Sequence, residues 1–326
     1  MAGFQKQANI YLAPGVPGQF ASTNPFSAIV AGPGGLVAGF LGCVVGKFAW
    51  ITYAIAGGPG VANSFGEGGV VPDGFVGADM QALITDFLGS DSMVVPSGIP
   101  VTLFDRGDFW AQSFGEAAIG QKAFANLFTG DVLAAASGAF PTTSFGSAVI
   151  AAATLVAGSY SMNVTAVTSG VLAVGQLVSG AGIAPGTFIE SLGNGSGSTG
   201  TYNLSRAAQV AGTAVAIACA VPAAVGGAVA TCSCSSASPT MTVTTLTAGS
   251  SVVAGMLVSG TNVPAGTYIA GIVSGGGGNG SVITLSANAS DTISGASIKF
   301  SSWVETPFVI KSAGNVGDVI KIGVKN

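Results

Sequence analysis

A short sequence occurs twice in this chain, first as Gly175-Gln-Leu-Val-Ser-Gly180 and then, 80 residues later, as Gly255-Met-Leu-Val-Ser-Gly260. Further matches keep nearly the same spacing, since Met162-Asn-Val-Thr165 corresponds to Met241-Thr-Val-Thr244, and residues 200–205 correspond to 280–286. A repeat of this length exceeds the units of about 20 to 50 residues that build solenoids. The spacing therefore predicts two copies of one small domain.

Each copy has the pattern of antiparallel β-structure. Alternate positions are expected to face one side of a strand in both copies: Met162, Val164 and Ala166 in the first, and Met241, Val243 and Thr245 in the second. The glycine-rich residues 193–200 and 275–280 are predicted to be hairpin connections, because glycine readily adopts the positive φ of tight turns. Neither run continues into Lys-Ser/Thr and a helix, as a phosphate-binding loop would.

Charge is distributed unevenly along the chain. The 326 residues include 9 Lys and Arg, 13 Asp and Glu and 52 Gly, and the charged fraction is 7%, against about 25% in ordinary soluble proteins. Residues 141–301 contain four charges: Glu190, Arg206, Asp291 and Lys299. Such a break indicates a domain boundary or an insertion into a domain. An insertion is favoured, because charge returns after residue 301 and the final strands are expected to complete a sheet begun before residue 140. The expected units are an extended arm (1–26), a β domain (27–140 plus 302–326), a first repeat (141–226) and a second repeat (227–301).

Composition excludes several classes of function. The chain has no histidine, which removes Ser-His-Asp and Cys-His catalysis and zinc sites that contain histidine. A net charge of −4 with nine basic residues predicts no nucleic-acid partner. The uncharged stretches 26–45 and 207–231 are interrupted by Pro and Gly, so we expect no membrane span. No cofactor or metal is expected either, because the aspartates do not have the alternating spacing of a calcium loop.

The four cysteines are too few and too dispersed for a disulfide framework. Cys43, Cys219, Cys232 and Cys234 are therefore predicted to be small buried residues on strands. This use of cysteine fits synthesis in a reducing compartment.

The flanks predict further strands and one helix. Strand patterns occupy residues 44–53, 94–104, 109–114, 122–127, 308–311 and 319–325, with a turn at 313–318. Lysines in the last two are expected on the solvated side or at a sheet edge. Apolar residues recur with helical spacing within 79–88, and Gly89 would end that helix. The fold class expected is mainly β, with an antiparallel β-barrel or sandwich as the base domain, the inserted repeats, and at most one short helix.

The densest polar cluster is Asp105-Arg-Gly-Asp-Phe-Trp110. It has the composition of a glycosidase site, with two carboxylates and a tryptophan that could stack on a sugar. It also has the composition of a hairpin turn in which Arg106 pairs locally with an aspartate. The turn is the favoured interpretation, because strand-like residues lie on both sides, and we expect no enzymatic activity.

The flanks carry an ordered series of short motifs: Asn24-Pro25, Val45-Gly-Lys-Phe-Ala-Trp50, Pro72-Asp-Gly-Phe-Val76, Gln81-Ala-Leu-Ile-Thr85, Met93-Val-Val-Pro-Ser-Gly98, Gly107-Asp-Phe-Trp110, Gly120-Gln-Lys-Ala-Phe-Ala-Asn126 and Thr129-Gly130. In order and spacing this series resembles the structural cement, or head decoration, proteins of tailed bacteriophages. The resemblance covers about residues 20–140 and 302–326.

The resemblance implies a structural protein of the virion, made in the cytoplasm of the host bacterium. It would bind the outer face of the major capsid protein lattice, as a homotrimer at or near threefold positions, and bridge capsomers against the pressure of packaged DNA. The candidate capsid or intersubunit contacts are Asn24, Pro25, Phe26, Lys47, Phe48, Trp50, Phe75, Arg106 and Trp110.

An alternative is a head or tail fibre whose repeats bind a host-surface glycan. Phe188, Tyr202 and Tyr268 could then act as stacking surfaces, or they could be core residues of each repeat. Core packing is the favoured interpretation for these aromatics.

Overall fold

The structure of the protein is a computed structural model. It describes residues 15–32, 34–39, 42–53, 59–64, 71–78, 93–139, 141, 147–170, 172, 177–184, 187, 189–204, 206–220, 227–246, 252–315 and 317–324. Within these ranges the fold is almost entirely β, as the sequence predicts, and it contains no α-helix. The helix predicted for residues 79–88 lies outside the described residues.

Eleven strands of the described chain precede residue 140: β1 (Ser27–Ala28), β2 (Leu36–Ala38), β3 (Cys43–Val44), β4 (Phe48–Tyr53), β5 (Gly60–Asn63), β6 (Gly74–Val76), β7 (Val94–Val95), β8 (Leu103–Arg106), β9 (Asp108–Gln112), β10 (Lys122–Asn126) and β11 (Val132–Ala135). The first repeat contributes β12 (Ser147–Leu155), β13 (Ser161–Ser169), β14 (Leu177–Gly180), β15 (Ile189–Leu192), β16 (Gly200–Leu204) and β17 (Gly212–Ala220). The second contributes β18 (Gly227–Cys234), β19 (Thr240–Leu246), β20 (Leu257–Ser259), β21 (Ile269–Ser274), β22 (Val282–Leu285) and β23 (Ile293–Ser301). The chain ends with β24 (Trp303–Ile310) and β25 (Val319–Val324).

The flanks form two larger sheets, with strand orders β1-β8-β6-β4-β5-β2 and β11-β10-β24-β25-β9. In the second sheet the last two strands lie between β10 and β9, so the end of the chain completes a sheet that begins before residue 140. Pairing is antiparallel except between β2 and β5, which are parallel. A small β3–β7 ribbon accompanies these sheets.

The two flanking sheets face each other across an aromatic core. Phe48, Phe75 and Phe104 come from the first sheet, and Phe109 and Phe308 come from the second. Ring centroids from opposite sheets lie 5.2–6.3 Å apart, as in the Phe104–Phe109 and Phe75–Phe308 contacts. All five side chains are buried, which makes this part of the chain a β-sandwich.

The two repeats have the same topology. Their sheets follow the orders β14-β17-β12-β13-β16-β15 and β20-β23-β18-β19-β22-β21, which coincide when corresponding strands are matched. The first repeat has a core of its own, whereas the buried side chains of the second are continuous with the aromatic core of the flanks. The glycine-rich residues 193–200 and 275–280 connect antiparallel strand pairs, as predicted.

The predicted alternation holds for Met162, Val164, Met241 and Val243, which are all buried. It fails at the end of β19, where Leu246 is buried and its neighbour at 245 is exposed. The reason is a shift of register opposite residues 231 and 232 of β18, which moves the inward face by one position.

The insertion begins and ends at one place. The hydroxyl of Ser301 donates a hydrogen bond of 2.9 Å to the backbone carbonyl of Pro141. These residues are 160 positions apart in sequence, yet they lie side by side in the structure. This contact explains how two repeats can occupy a connection of the flanking domain without separating its strands.

All four cysteines are free and buried, as predicted. Burial raises the pKa of Cys43 to about 11 and that of Cys219 to about 12. Burial, with a smaller contribution from neighbouring Cys234, also raises the pKa of Cys232 to about 12. Among the described residues, no helix is long and apolar enough to cross a membrane.

Candidate interaction surface on the N-terminal segment

Residues 15–26, here called the N-terminal segment, lie along the edge strand β9. The amide of Gly18 donates to the carbonyl of Trp110 (2.8 Å), and the amide of Trp110 donates to the carbonyl of Gln19 (2.9 Å). The amide of Ala21 donates to the carbonyl of Asp108 (2.8 Å). The sequence predicted an extended arm, and this part of the arm covers the open edge of its own sheet.

The segment is fastened to the sheet by Asp108, whose side chain is 3% exposed. Its Oδ2 accepts hydrogen bonds from the hydroxyl of Ser22 and the side-chain amide of Asn24, each at 2.7 Å. Its Oδ1 forms an ion pair of 2.6 Å with the ammonium of Lys311, and the ammonium of Lys321 lies 3.8 Å from Oδ2. Asp108 therefore joins the N-terminal segment to the last two strands of the chain.

The partners of Asp108 decide its protonation state. Burial by itself favours the neutral carboxyl group, but hydrogen bonds from Lys311, Ser22 and Asn24, with the positive charge of Lys311, outweigh that effect. Together they hold the pKa of Asp108 below its ordinary value. The carboxylate is therefore ionised at neutral pH and keeps all of these contacts.

The segment presents two phenylalanines at the surface, here called the Phe20–Phe26 patch. Phe20 is 40% exposed and Phe26 is 59% exposed, and their ring centroids lie 4.7 Å apart. The inner faces of the rings contact Phe104 and Phe109 at the edge of the aromatic core. The patch is thus an exposed extension of a rigid core.

A cleft of about 510 Å³ opens beside the Phe20–Phe26 patch. Its lining includes Asn24, Pro25, Arg106 and Pro307. Arg106 is exposed and forms no ion pair with the part of the chain that the structure describes. The surface therefore combines aromatic rings with an available guanidinium group.

Four of the nine residues named as candidate contacts meet here, namely Asn24, Pro25, Phe26 and Arg106. Trp110 lies half-buried beneath the N-terminal segment.

Three others, Phe48, Trp50 and Phe75, have buried side chains in the flanking sheets. They therefore belong to the interior of the flanking domain and not to its exposed surface.

Lys47 lies at a second depression, of about 290 Å³, between the β3–β7 ribbon and the second flanking sheet. Its ammonium forms an ion pair of 2.9 Å with Asp131. Pro17, Met93 and Phe114 also line this depression. Lys47 is therefore separate from the cluster around Asp108.

Sequence reasoning missed Ser22, Lys311 and Lys321 as partners of Asp108, and it missed Phe20. The two lysines were expected at the solvated side or an edge of the final strands. Both side chains are partly exposed, but β25 is an interior strand, so Lys321 does not lie at a sheet edge, and both ammonium groups converge on Asp108. The sequence contained one signal for these partners. Asp108 directly precedes the apolar Phe109 on a predicted strand, and a carboxylate that is buried with such a residue requires a cationic partner.

The prediction of a hairpin turn at residues 105–110 is also wrong, because the strands on its two sides do not pair with each other. β8 and β9 belong to different sheets, and the chain crosses between them at Gly107 with φ of 132°. The aspartates do not form a glycosidase-like pair, because Asp105 is exposed while both oxygens of Asp108 are turned towards partners inside the protein. The local pairing expected for Arg106 is absent from the described residues.

Of the three aromatics considered for glycan binding, the structure describes Tyr202 and Tyr268. Tyr202 is fully buried, and its hydroxyl donates to the carbonyl of Ser198 at 2.7 Å. Tyr268 is half-buried, and Phe188 lies outside the described residues. Core packing is thus confirmed for Tyr202.

The family model of the XM1 gp53 minor capsid protein matches residues 4–175, a little over half of the chain. The chain belongs to this family. It is accordingly a bacteriophage capsid-related protein with a structural role in the virion, and this family points to a protein that is not an enzyme. No curated protein and no solved structure matches the chain.

The match to the minor capsid family includes the N-terminal segment, the first eleven strands and the start of the first repeat. The second repeat and the last two strands lie beyond it. The Phe20–Phe26 patch and Asp108 are therefore within the matched region, while Lys311 and Lys321 are outside it.

Proposed function

We propose that this minor capsid protein binds the outer surface of the assembled phage capsid and cements neighbouring capsomers, with the Phe20–Phe26 patch as its principal contact. The observation that carries the proposal is an exposed aromatic pair on a segment that a buried carboxylate fixes in place. Membership of a capsid family supports a partner within the virion.

The physical properties of the patch suit an interface. Energetically dominant contacts in protein interfaces are enriched in aromatic residues and arginine, and Arg106 lies beside the two rings. A pre-ordered contact also loses less conformational entropy on binding than a flexible one. Because Asp108 holds the segment on the sheet, the rings are already in position before a partner arrives.

The proposed cementing of the capsid depends on binding to capsomers that are already assembled in the lattice. A protein that binds assembled capsomers and not free subunits stabilises the shell by mass action. Three linked copies, as the resemblance to decoration proteins implies, would turn modest contacts into stable attachment. In this proposal the flanking sheets contact the major capsid protein and the repeats project outward.

The test is co-sedimentation with purified capsids that lack this protein, using Phe26→Ala and the control Ile119→Ala. Ile119 is 72% exposed but lies outside the patch. We expect Phe26→Ala to weaken binding by about 30-fold, which corresponds to the ~2 kcal/mol of a dominant interface residue, and Ile119→Ala to bind normally. Equal binding by both variants and the unmodified protein would refute the assignment of the contact.

Density for the chain on virions would test the wider proposal. It should occupy the outer surface at threefold or quasi-threefold positions, with three copies at each. A low copy number at a single vertex would contradict a cementing role.

A further inference from the structure

The two repeats differ in chemical character at one corresponding end. This end, here called the tip, consists of residues 156–160, 180–184 and 206–211 in the first repeat and of residues 235–239, 260–264 and 287–292 in the second. The correspondence rests on equivalent hydrogen bonds. The amide of Ala208 donates to the carbonyl of Ser159 at 2.9 Å in the first repeat, and the amide of Ala289 donates to that of Ser238 at 3.0 Å in the second.

A second pair of hydrogen bonds fixes the same alignment. The amide of Gln209 donates to the carbonyl of Gly182 at 2.8 Å, and the amide of Ser290 donates to the carbonyl of Asn262 at 2.9 Å. The three loops of the two tips can therefore be compared position by position.

At three of four matched positions an apolar residue of the first tip is replaced by a polar residue in the second, and at the fourth Tyr160 corresponds to a proline. Val156, Tyr160, Ala181 and Val210 of the first repeat correspond to Ser235, Pro239, Thr261 and Asp291 of the second. Val156, Tyr160 and Val210 are 59%, 52% and 62% exposed. Because Ser235 and Asp291 occupy the positions of Val156 and Val210, the fold does not require exposed apolar side chains at these two positions.

The first tip is also a fixed surface. The amide of Gly158 donates to the carbonyl of Ala208 at 2.8 Å, and the amide of Leu204 donates to the carbonyl of Tyr160 at 2.6 Å. The loops that carry Val156, Tyr160 and Val210 are therefore tied to one another by backbone hydrogen bonds.

We propose that the tip of the first repeat binds a neutral carbohydrate, with Tyr160 stacking on the apolar face of a sugar ring. Tyrosine offers a rigid apolar face together with a hydroxyl group. The exposed side chains of Ser161 and Gln209 supply uncharged hydrogen-bonding groups beside it. A few polar groups around an apolar surface are typical of small-ligand sites.

Charge and area favour a sugar over other partners. The three loops contain a single charged residue, the half-buried Arg206, so the tip offers little attraction to polyanions or anionic lipids. Three exposed side chains also provide far less than the ~800 Å² that each partner contributes to a stable protein interface. A single sugar ring can be covered by such a surface, and the many copies on a capsid would compensate for weak individual binding.

The experiment uses the full-length protein and saturation-transfer NMR, with glucose, galactose, N-acetylglucosamine and rhamnose as probes. The variants are Tyr160→Ser and Val210→Asp, the latter introducing the residue of the second repeat. Val273→Ser is the matched control, because Val273 is an exposed valine of the second repeat, 55% accessible, and away from its tip. Thermal unfolding of every variant verifies that it is folded.

We expect transfer to at least one sugar, a reduction of five-fold or more in both tip variants, and no change in Val273→Ser. The proposal is overturned if no probe receives saturation, or if the signal survives in both tip variants. It is likewise overturned if the tip variants change only self-association or binding to phosphatidylcholine vesicles. Capsid co-sedimentation of Tyr160→Ser should remain normal, so this proposal and the capsid contact can fail independently.

Discussion

Asp108 connects parts of the chain that are distant in sequence. Its hydroxyl partner Ser22 lies 86 residues before it, and its ammonium partner Lys311 lies 203 residues after it. A buried carboxylate is stabilised only while it is paired and hydrogen-bonded. Asp108 therefore links the N-terminal segment of the flanking domain to its last two strands.

Asp108→Asn is expected to lower the free energy of unfolding by about 2 kcal/mol, because it leaves Lys311 without its close counter-ion and removes charge-assisted hydrogen bonds. Urea unfolding measures this change. Asp105→Asn is the control, since Asp105 is exposed two positions away. An effect of equal size in both variants would mean that the Asp108 contacts contribute little.

Stability should also depend on pH through Asp108. Its pKa is lowered in the folded protein, so the unfolded chain takes up the proton first as pH falls. The contribution of Asp108 is therefore fully present above the ordinary aspartate pKa of about 3.9 and is lost as pH falls from there through the folded-state value. The difference in melting temperature between the unmodified protein and Asp108→Asn should shrink over that range. A constant difference from pH 7 to strongly acidic solution would contradict the pairing.

At the scale of elements, the two repeats meet through a glycine turn. Gly275–Gly277 forms a short 3-10 turn that contacts β17 of the first repeat. A Cβ placed on Gly276 would lie 3.0 Å from the carbonyl carbon of Ala216, and Gly276 has φ of 63°. Beside it, the amide of Ala254 donates a hydrogen bond of 3.2 Å to the hydroxyl oxygen of Ser179.

Gly276→Ala is expected to destabilise the contact between the repeats by about 1–2 kcal/mol, because both the close approach and the positive φ disfavour a side chain. Ser196→Ala is the matched control. Ser196 occupies the corresponding position of the first repeat, since the carbonyls of Gly197 and Gly277 accept equivalent amides, and it is exposed. Thermal unfolding and limited proteolysis report the effect, and equal stability of the two variants would argue against a tight joint.

Strand prediction was accurate where a predicted segment forms one strand of one sheet. It was less accurate where the segment is divided between two strands. The strand predicted at 122–127 is β10, but the one predicted at 44–53 is divided at Gly46, whose φ is 82°. Similarly, the strand predicted at residues 94–104 corresponds only to the short β7 and the start of β8. A period-two pattern reports local exposure, so it does not show where a chain leaves one sheet for another.

At the scale of the whole molecule, the contact between Pro141 and Ser301 makes the insertion removable in principle. We expect a variant lacking residues 142–300 to retain β-structure by circular dichroism and to co-sediment with capsids. Its melting temperature should fall, because the second repeat shares its buried cluster with the flanking sheets. Loss of capsid binding by a folded deletion variant would place the contact in the repeats and reverse the proposed roles.

The sequence alone determined the β class, the duplication and the low charge of the insertion. These properties depend on residues that are neighbours along the chain, and their periodicity and composition are visible without a fold. Only the tertiary structure decided that Phe48, Trp50 and Phe75 are interior while Phe20 and Phe26 reach the surface, and that two distant lysines and a serine meet at Asp108. Burial and ion pairing arise from contacts between strands far apart in sequence, which local patterns do not encode.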